Sequence, residues 1–249
     1  MHQPRFYRNT FNTVRFANFT LQYRDTDLWI GVNHGSFCPE MAEFLQGEVV
    51  QIWQSLEGYI QKHNEFQTSH SPVSLSGDSP EAAILMAEAG SRAGTGPMAA
   101  VAGFFAWHTG EILRRKFGAK EIVVENGGDF YLFLEKELTM TIHAGKSPLS
   151  DRIALVIPAS SIPCGVCTSS GTVGHSFSYG KADAVMVACQ SPLLADAWAT
   201  SLANRIQSPE DIPQVLNFSE EYPEIQSLII ICEDKVGIRG NFDTRFTNK

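Results

Sequence analysis

Between residues 12 and 33 apolar and polar side chains alternate closely enough to predict a hairpin, with Arg24, Asp25, Thr26 and Asp27 at its turn and LWIGV as the returning strand. From Pro39 to about His63 the period changes. Met41, Phe44, Leu45, Val49, Ile52, Trp53, Leu56 and Ile60 recur at steps of three and four, which predicts a long amphipathic helix packed on the sheet. The stretch QTSHSPVSLSGDSP is rich in Ser and Pro and poor in large apolar residues, so 66–79 reads as a flexible loop. Ser79 and Pro80 suit a cap and a first-turn proline for a helix over EAAILMAEAGSR that breaks at Gly94. Gly94, Thr95, Gly96 and Pro97 then precede a segment that is apolar nearly all round its first half, which predicts a deeply buried helix.

Period-two patterning returns downstream and predicts strands at roughly 120–125, 129–135, 138–144 and 152–157, the first three joined as a meander. A hydroxyl-rich segment from Thr168 to Ser178 leads to the strand DAVMVAC and then to a helix in SPLLADAWATSLAN. SLIIICED and KVGIRG close the chain as two strands about a turn at Glu233, Asp234 and Lys235. Helices interspersed with mostly antiparallel strands make an α+β fold, read as a single domain over 1–249.

Composition narrows the class. At 249 residues and 43% hydrophobic the chain can bury a substantial core. A net charge of -8 without a basic stripe argues against a nucleic-acid surface, so an anionic ligand needs local help from a metal or from backbone amides. No apolar run is long enough to span a membrane, and MHQPRFYRNTFN has no apolar signal core; the expectation is a cytoplasmic protein. Five irregularly spaced cysteines do not make a secreted disulfide framework. Cys164 and Cys167 form one C-x-x-C without the second pair that zinc requires, and read as two small core residues.

Candidate chemistry gathers at three places. Asp196 and Thr200 stand one helical turn apart, so a carboxylate and a hydroxyl share a face, which suits Mg²⁺; the bland alternative is an acid near a helix start plus a Thr bonded to its own backbone. Asn126, Gly127, Gly128 and Asp129 form a turn between apolar runs, either a tight hairpin or a place where a ligand meets backbone. Gly94, Thr95 and Gly96 open a helix whose free amides could take an anion, or form an ordinary turn. His175, in a Gly/Ser loop, is a candidate general acid or base or a solvent-facing loop residue. Lys146 is a second candidate for pairing an anion; Arg92 reads as surface, and the spacing of His34 and His143 singles out neither.

Taken together, ENGGDFYL, CTSSG and VMVACQSPLLADAWATSLAN resemble the ApbE-like superfamily, whose best-known members are FAD:protein FMN transferases. The resemblance runs from about Gly90 to Ala203 and follows the superfamily order of helix, N-x-GGD turn, T-S-G loop, then strand and A-D-A-x-A-T helix. AGTGPMAAVAGFFA, AGKSPLSDRI, CTSSGTVGHSFSYGKADAV and GIRG look closer to a cytosolic branch. The resemblance implies an ApbE-like fold, an Mg²⁺ held by Asp196 and Thr200, and a flavin nucleotide, FAD or FMN, seated by Asn126, Gly127, Gly128 and Asp129. Thr168, Ser169, Ser170 and Gly171 would meet its phosphates. Where the transferases carry H-I-x-D-P-x-T-G this chain has TVGHSFSYGKAD, in which either His175 and Ser178 replace part of that segment or nothing does, and Gly96, Pro97 and Met98 stand in place of their K-G-Y.

The implied activity is a Mg²⁺-dependent FMN transferase, or an enzyme that cleaves the FAD diphosphate; the alternative is a flavin- or nucleotide-binding module without turnover. The implied partners are a nucleotide and a cytoplasmic acceptor protein, with no nucleic acid and no membrane, and an apolar face on the first long helix would allow a homodimer.

Overall fold

The computed structural model describes residue 8, residues 14–172 and residues 179–247. The first hairpin forms as the alternation predicts: β1 (Phe16–Tyr23) pairs antiparallel with β2 (Thr26–Asn33), and Arg24 takes a left-handed φ of 53° in the turn. The three- and four-residue periodicity becomes α1 (Glu40–Lys62), whose Met41, Leu45, Val49, Trp53, Leu56 and Tyr59 are buried on one stripe.

A four-residue helix α2 (Glu65–Thr68) begins the Ser/Pro segment. Farther along, Ser79 donates to the Tyr59 hydroxyl at 2.9 Å, and Ser76 lies 3.1 Å from His63 Nε2, so hydroxyls tie the segment to α1. Ser79 is thus engaged with Tyr59 and does not cap α3 (Glu81–Ala93), which starts after Pro80 with no side-chain cap. Gly94 ends α3 in the left-handed region at φ 73°.

Pro97–Ala100 form a 3-10 turn before α4 (Val101–Arg115). Then come β3 (Ile122–Asn126), β4 (Asp129–Leu134), β5 (Leu138–Thr141), β6 (Ile153–Ile157), β7 (Ser160–Ser169), β8 (Ala184–Cys189), α5 (Pro192–Ala203), α6 (Ile212–Ser219), β9 (Ser227–Cys232), β10 (Lys235–Gly240) and β11 (Thr244–Phe246).

Eight strands make one antiparallel sheet in the order β1-β2-β3-β4-β7-β8-β9-β10, and β11-β6-β5 make a second. The expected meander is therefore split: β3 and β4 form a hairpin, but β5 leaves the main sheet to pair with β6. Its vacated neighbour position beside β4 goes to β7, a strand that the Pro-containing SSIPCGVCTS does not announce. The main sheet is covered on both sides. Leu28, Ile30, Val124, Val185 and Leu228 join the core under the helices, while Trp29, Val123, Met186 and Ile229 join a second core with β6 residues Ile153, Leu155 and Ile157. An antiparallel strand buried on both faces reads as a continuous apolar run, which explains SLIIIC and AVMVAC.

Cys164 and Cys167 fall in β7 three positions apart and enter different cores, so they share no ligand position. All five thiols are free. Among the described residues no helix is long and apolar enough to cross a membrane.

Packing decides which glycines are replaceable. On α1, Gly47 and Gly58 have open space where a Cβ would stand, so Ala at either is expected to stabilise by about 0.5–1 kcal/mol through helix propensity. On α4, a Cβ at Gly110 would lie 2.2 Å from the Tyr131 ring. Gly110→Ala is expected to be net destabilising, because an overpacking cost of about 1–3 kcal/mol exceeds the propensity gain. Denaturant unfolding of the three variants checks both signs.

Candidate functional site

Three elements meet where α5 begins. Gly165 on β7 and Gly103 on α4 both lack the side chain that would strike Pro192: a Cβ would lie 2.3 Å from the Pro192 Cα in the first case and 2.4 Å from its carbonyl oxygen in the second. That fit lets the first turn of α5 lie against both. One turn on, Asp196 Oδ2 accepts a 2.8 Å hydrogen bond from the Gly103 amide, and the Ala102 amide also supports the carboxylate. The free amides at the start of α4 therefore face a carboxylate, not an open anion site.

The turn before β4 arrives at the same point. Gly127 and Gly128 both have positive φ, 72° and 105°, which closes Asn126 onto Asp129 in a two-residue hairpin. The Asn126 amide donates to the Ala102 carbonyl at 3.2 Å, tying the turn to α4. Asp129 pairs in register with Cys167 of β7, whose sulfur lies 3.4 Å from the Pro192 carbonyl oxygen.

Burial and the neighbouring acid act on Asp196 in the same direction. The Asp196 carboxyl is pushed well above the usual carboxylate range, first by desolvation and next by the Asp129 carboxylate, against the pull of the Gly103 and Ala102 amides. The Cys167 thiol is raised for the same reasons, by burial first and then by Asp129 and Asp196. Two desolvated carboxylates and a silent thiol thus share one corner.

The hydroxyl-rich loop continues from β7. Thr168 and Ser169 are still in the strand, and the Thr168 amide donates to the Gly128 carbonyl at 3.2 Å. Ser169 lies two residues beyond Cys167 and so on its side of the sheet; its hydroxyl is buried without a hydrogen-bond partner among the described residues. The Ser170 hydroxyl accepts from the Thr172 amide, and Gly171 passes so close to Gly180 that a Cβ would stand 1.9 Å from its carbonyl oxygen.

Other sequence candidates sit apart. Gly94 is the cap of α3, the Thr95 hydroxyl is buried without a partner among the described residues, and Gly96 has no room for a Cβ because the Ser69 carbonyl oxygen would be 1.8 Å away. Lys146 lines a hollow of about 390 Å³ with Asp183, Glu233 and Asp234, so its neighbours there are acidic and it is not placed to receive an anion. Arg92 pairs with Glu224 on the surface at 2.6 Å. His175 lies outside the described residues. A groove of about 490 Å³ between α1, α3 and α4, lined by Ile52, Leu85, Phe104, Trp107 and His108, includes none of the candidate site residues.

A hard cation suits the corner by its donors. Asp196, Asp129 and the Thr200 hydroxyl offer oxygen, and Asp196 forms no ion pair among the described residues. No group of three or more His, Cys, Asp or Glu side chains among those residues is arranged to hold a metal. A cation there would therefore need further oxygen donors besides Asp196 and Asp129, and Thr200, one turn on from Asp196, is a residue that could supply one. The Gly128 amide is not available to a phosphate, since it donates to Glu125 Oε1 at 2.9 Å.

The family model described as AbpE bacteria matches residues 8–218. The chain belongs to this family. Its relatives include a UPF0280 protein of Methanocaldococcus jannaschii, 41% identical over 74% of this chain and 76% of the relative, and one of Methanococcus vannielii, 34% identical over 90% of each. Among solved structures, the apo flavinyl transferase ApbE of Pseudomonas stutzeri superposes with a TM-score of 0.54 at 14% identity, over 93% of this chain and 94% of that one. The ApbE protein of Thermotoga maritima gives 0.58 at 13% identity, over 91% and 97%. At such identities the likeness establishes the fold, and the family's ApbE-like α+β architecture is the one described above.

Cys167, Gly103 and Glu125 lie in the quoted motifs but, like Gly165, were given no role by them. Only the close approaches that small residues permit, and the strand register, bring them to the site.

If Asp129 and Asp196 repel one another in the metal-free protein, Asp129→Asn and Asp196→Asn each relieve the same repulsion. The double variant is then expected to be less stable than the sum of the single effects by about 1 kcal/mol. Unfolding in a chelator, run as a double-mutant cycle, measures that coupling; additive effects would show that the two carboxylates act independently.

Proposed function

We propose that the chain is a Mg²⁺-dependent enzyme acting on FAD or a closely related flavin nucleotide, cleaving the diphosphate and passing the FMN phosphoryl group to an acceptor. The observation that carries the reading is the convergence of Asp129 and Asp196, from a hairpin turn and a helix far apart in sequence, at one desolvated corner. Family membership and the shared fold with a flavinyl transferase support it.

Bound Mg²⁺ would supply Lewis acidity and a template for the diphosphate. Asp196 and Thr200 are the residues to hold it, with Asp196 kept in orientation by the Gly103 amide. The acceptor hydroxyl attacks the FMN phosphorus, the phosphoanhydride bond breaks, AMP leaves with the bridging oxygen, and the hydroxyl proton passes to Asp129. Ser169, with its buried unpartnered hydroxyl, and the neighbouring Thr168, Ser170 and Gly171 are the groups to meet the phosphates. A cytoplasmic protein is the proposed acceptor, and water would give simple hydrolysis.

A second reading is a flavin- or nucleotide-binding module without turnover. The observation that favours it is the sequence TVGHSFSYGKAD, which lacks the H-I-x-D-P-x-T-G pattern that the transferases carry there.

Equilibrium binding of FAD to metal-stripped protein, with and without Mg²⁺, followed by chromatography for FMN and AMP, separates the two. The enzyme reading expects Mg²⁺-dependent binding and AMP release, both lost in Asp196→Ala. Asp129→Asn is expected to lower the AMP release rate about 100-fold or more while changing FAD affinity much less, as removal of a general base does. Binding without AMP, even with cell extract as acceptor source, would leave the module; no binding would overturn both.

A further inference from the structure

Behind the Asn126–Asp129 turn lies a buried polar cluster to which the quoted motifs assign no role. Glu125 is fully buried at the end of β3, and its two oxygens are divided: Oε1 accepts from the Gly128 amide at 2.9 Å, and Oε2 accepts from Arg8 Nε at 2.6 Å. The same guanidinium donates to Asp27 Oδ1 at 2.8 Å and to the Asp27 carbonyl at 2.7 Å. Asp27, 3% exposed, in turn donates its amide to Asn126 Oδ1 at 3.4 Å. Arg8 thus reaches both ends of the turn through different residues, Gly128 by way of Glu125 and Asn126 by way of Asp27.

The physical demand on Arg8 follows from burial. A carboxylate out of water must be compensated, and a planar guanidinium can serve two carboxylates at once in a fixed geometry that an ammonium cannot reproduce. With Glu125 fixed by Arg8, its Oε1 holds the Gly128 N–H inward, at a residue whose φ of 105° glycine can reach but is free to leave. Without that support the Gly128 N–H loses its partner, and the turn is left to the Thr168 bond to the Gly128 carbonyl and the Asn126 bond to Ala102.

We propose that Arg8 is a positioning residue for the ligand turn: through Glu125 and Asp27 it fixes Asn126–Asp129, and with them the Asp129 carboxylate, in the geometry that the site requires. The consequence for ligand affinity rests on the flavin-nucleotide reading above; the consequence for the turn itself does not.

The test compares the full-length protein with Arg8→Met and Arg8→Lys, reading amide hydrogen exchange and FAD affinity in Mg²⁺. In Arg8→Met, exchange at residues 126–129 is expected to rise about tenfold or more while exchange in the sheet interior at 184–189 stays within about twofold. FAD affinity is expected to fall about tenfold, the scale seen when a group that orients a binding residue is removed. Arg8→Lys, which keeps the charge but loses the fork, is expected to lie between the two, and it carries the comparison should Arg8→Met not fold. Exchange at 126–129 that is unchanged, or that rises in step with 184–189, would reduce Arg8 to a general stabiliser and overturn the proposal. So would unchanged FAD affinity alongside a loosened turn. If the wild-type protein binds no FAD, the functional reading falls, and the exchange ratio alone decides the role of Arg8.

Discussion

Residue 103 must be glycine for α4 and α5 to cross as they do. A methyl group there would meet the Pro192 carbonyl oxygen at 2.4 Å and the Asp196 Cβ at 2.9 Å, so any larger residue pushes the helices apart. Closeness has an electrostatic consequence: at that crossing the amide of Gly103 bonds directly to Asp196 and brings the positive end of α4 onto a carboxylate. Gly165 performs the same service between β7 and α5. Because β7 is in register with β4 at Cys167 and Asp129, fixing α5 on β7 also fixes Asp196 relative to Asp129. Two backbone approaches thus set the geometry of the acidic corner.

The elements on one side of the main sheet were readable because each has a single solvent boundary. α1 shows a clear stripe, Gly94 marks a helix end through its left-handed φ, and the first hairpin has exposed positions on β1 that preserve the alternation. Where both faces are covered the alternation disappears. β7 was not legible because Ser160 to Ile162 are exposed or nearly so, Pro163 interrupts the run, and the buried half is made of small residues whose pattern says little. The meander failed for a related reason: nothing local tells β5 that its partner is β6 in another sheet, since that choice is made by Leu138, Met140 and Ile142 joining the core beneath. α6, with eight residues and two turns, is too short for its periodicity to stand out.

At the candidate site the sequence supplied residues but not their relations. The Gly-Gly turn and the Asp-x-x-x-Thr face are local patterns, and both appear in the structure where the pattern puts them. That Asp129 and Asp196 influence one another is a property of strand order and helix crossing, which no local pattern encodes. At Gly94–Gly96, read either as an anion site or as an ordinary turn, the local pattern says little about geometry. Pro97 does begin a helical turn, but that turn is 3-10, and the α-helix behind it aims its amides at Asp196. Lys146 was read by charge alone, and only the fold shows that Asp183, Glu233 and Asp234 surround the same hollow.

A net charge of -8 and a corner holding two desolvated carboxylates make a poor receptor for a diphosphate unless a cation is part of it. The backbone offers less help than the glycine content suggests, because the Gly103 amide serves Asp196 and the Gly128 amide serves Glu125. The Arg8 guanidinium is likewise committed, to Glu125 and Asp27. Two amides and one guanidinium beside the turn are thus turned toward the protein's own carboxylates. In the flavin-nucleotide reading proposed above, a divalent ion held by Asp196 and Thr200 would supply the missing positive charge and leave the Asp129 carboxylate free to take a proton.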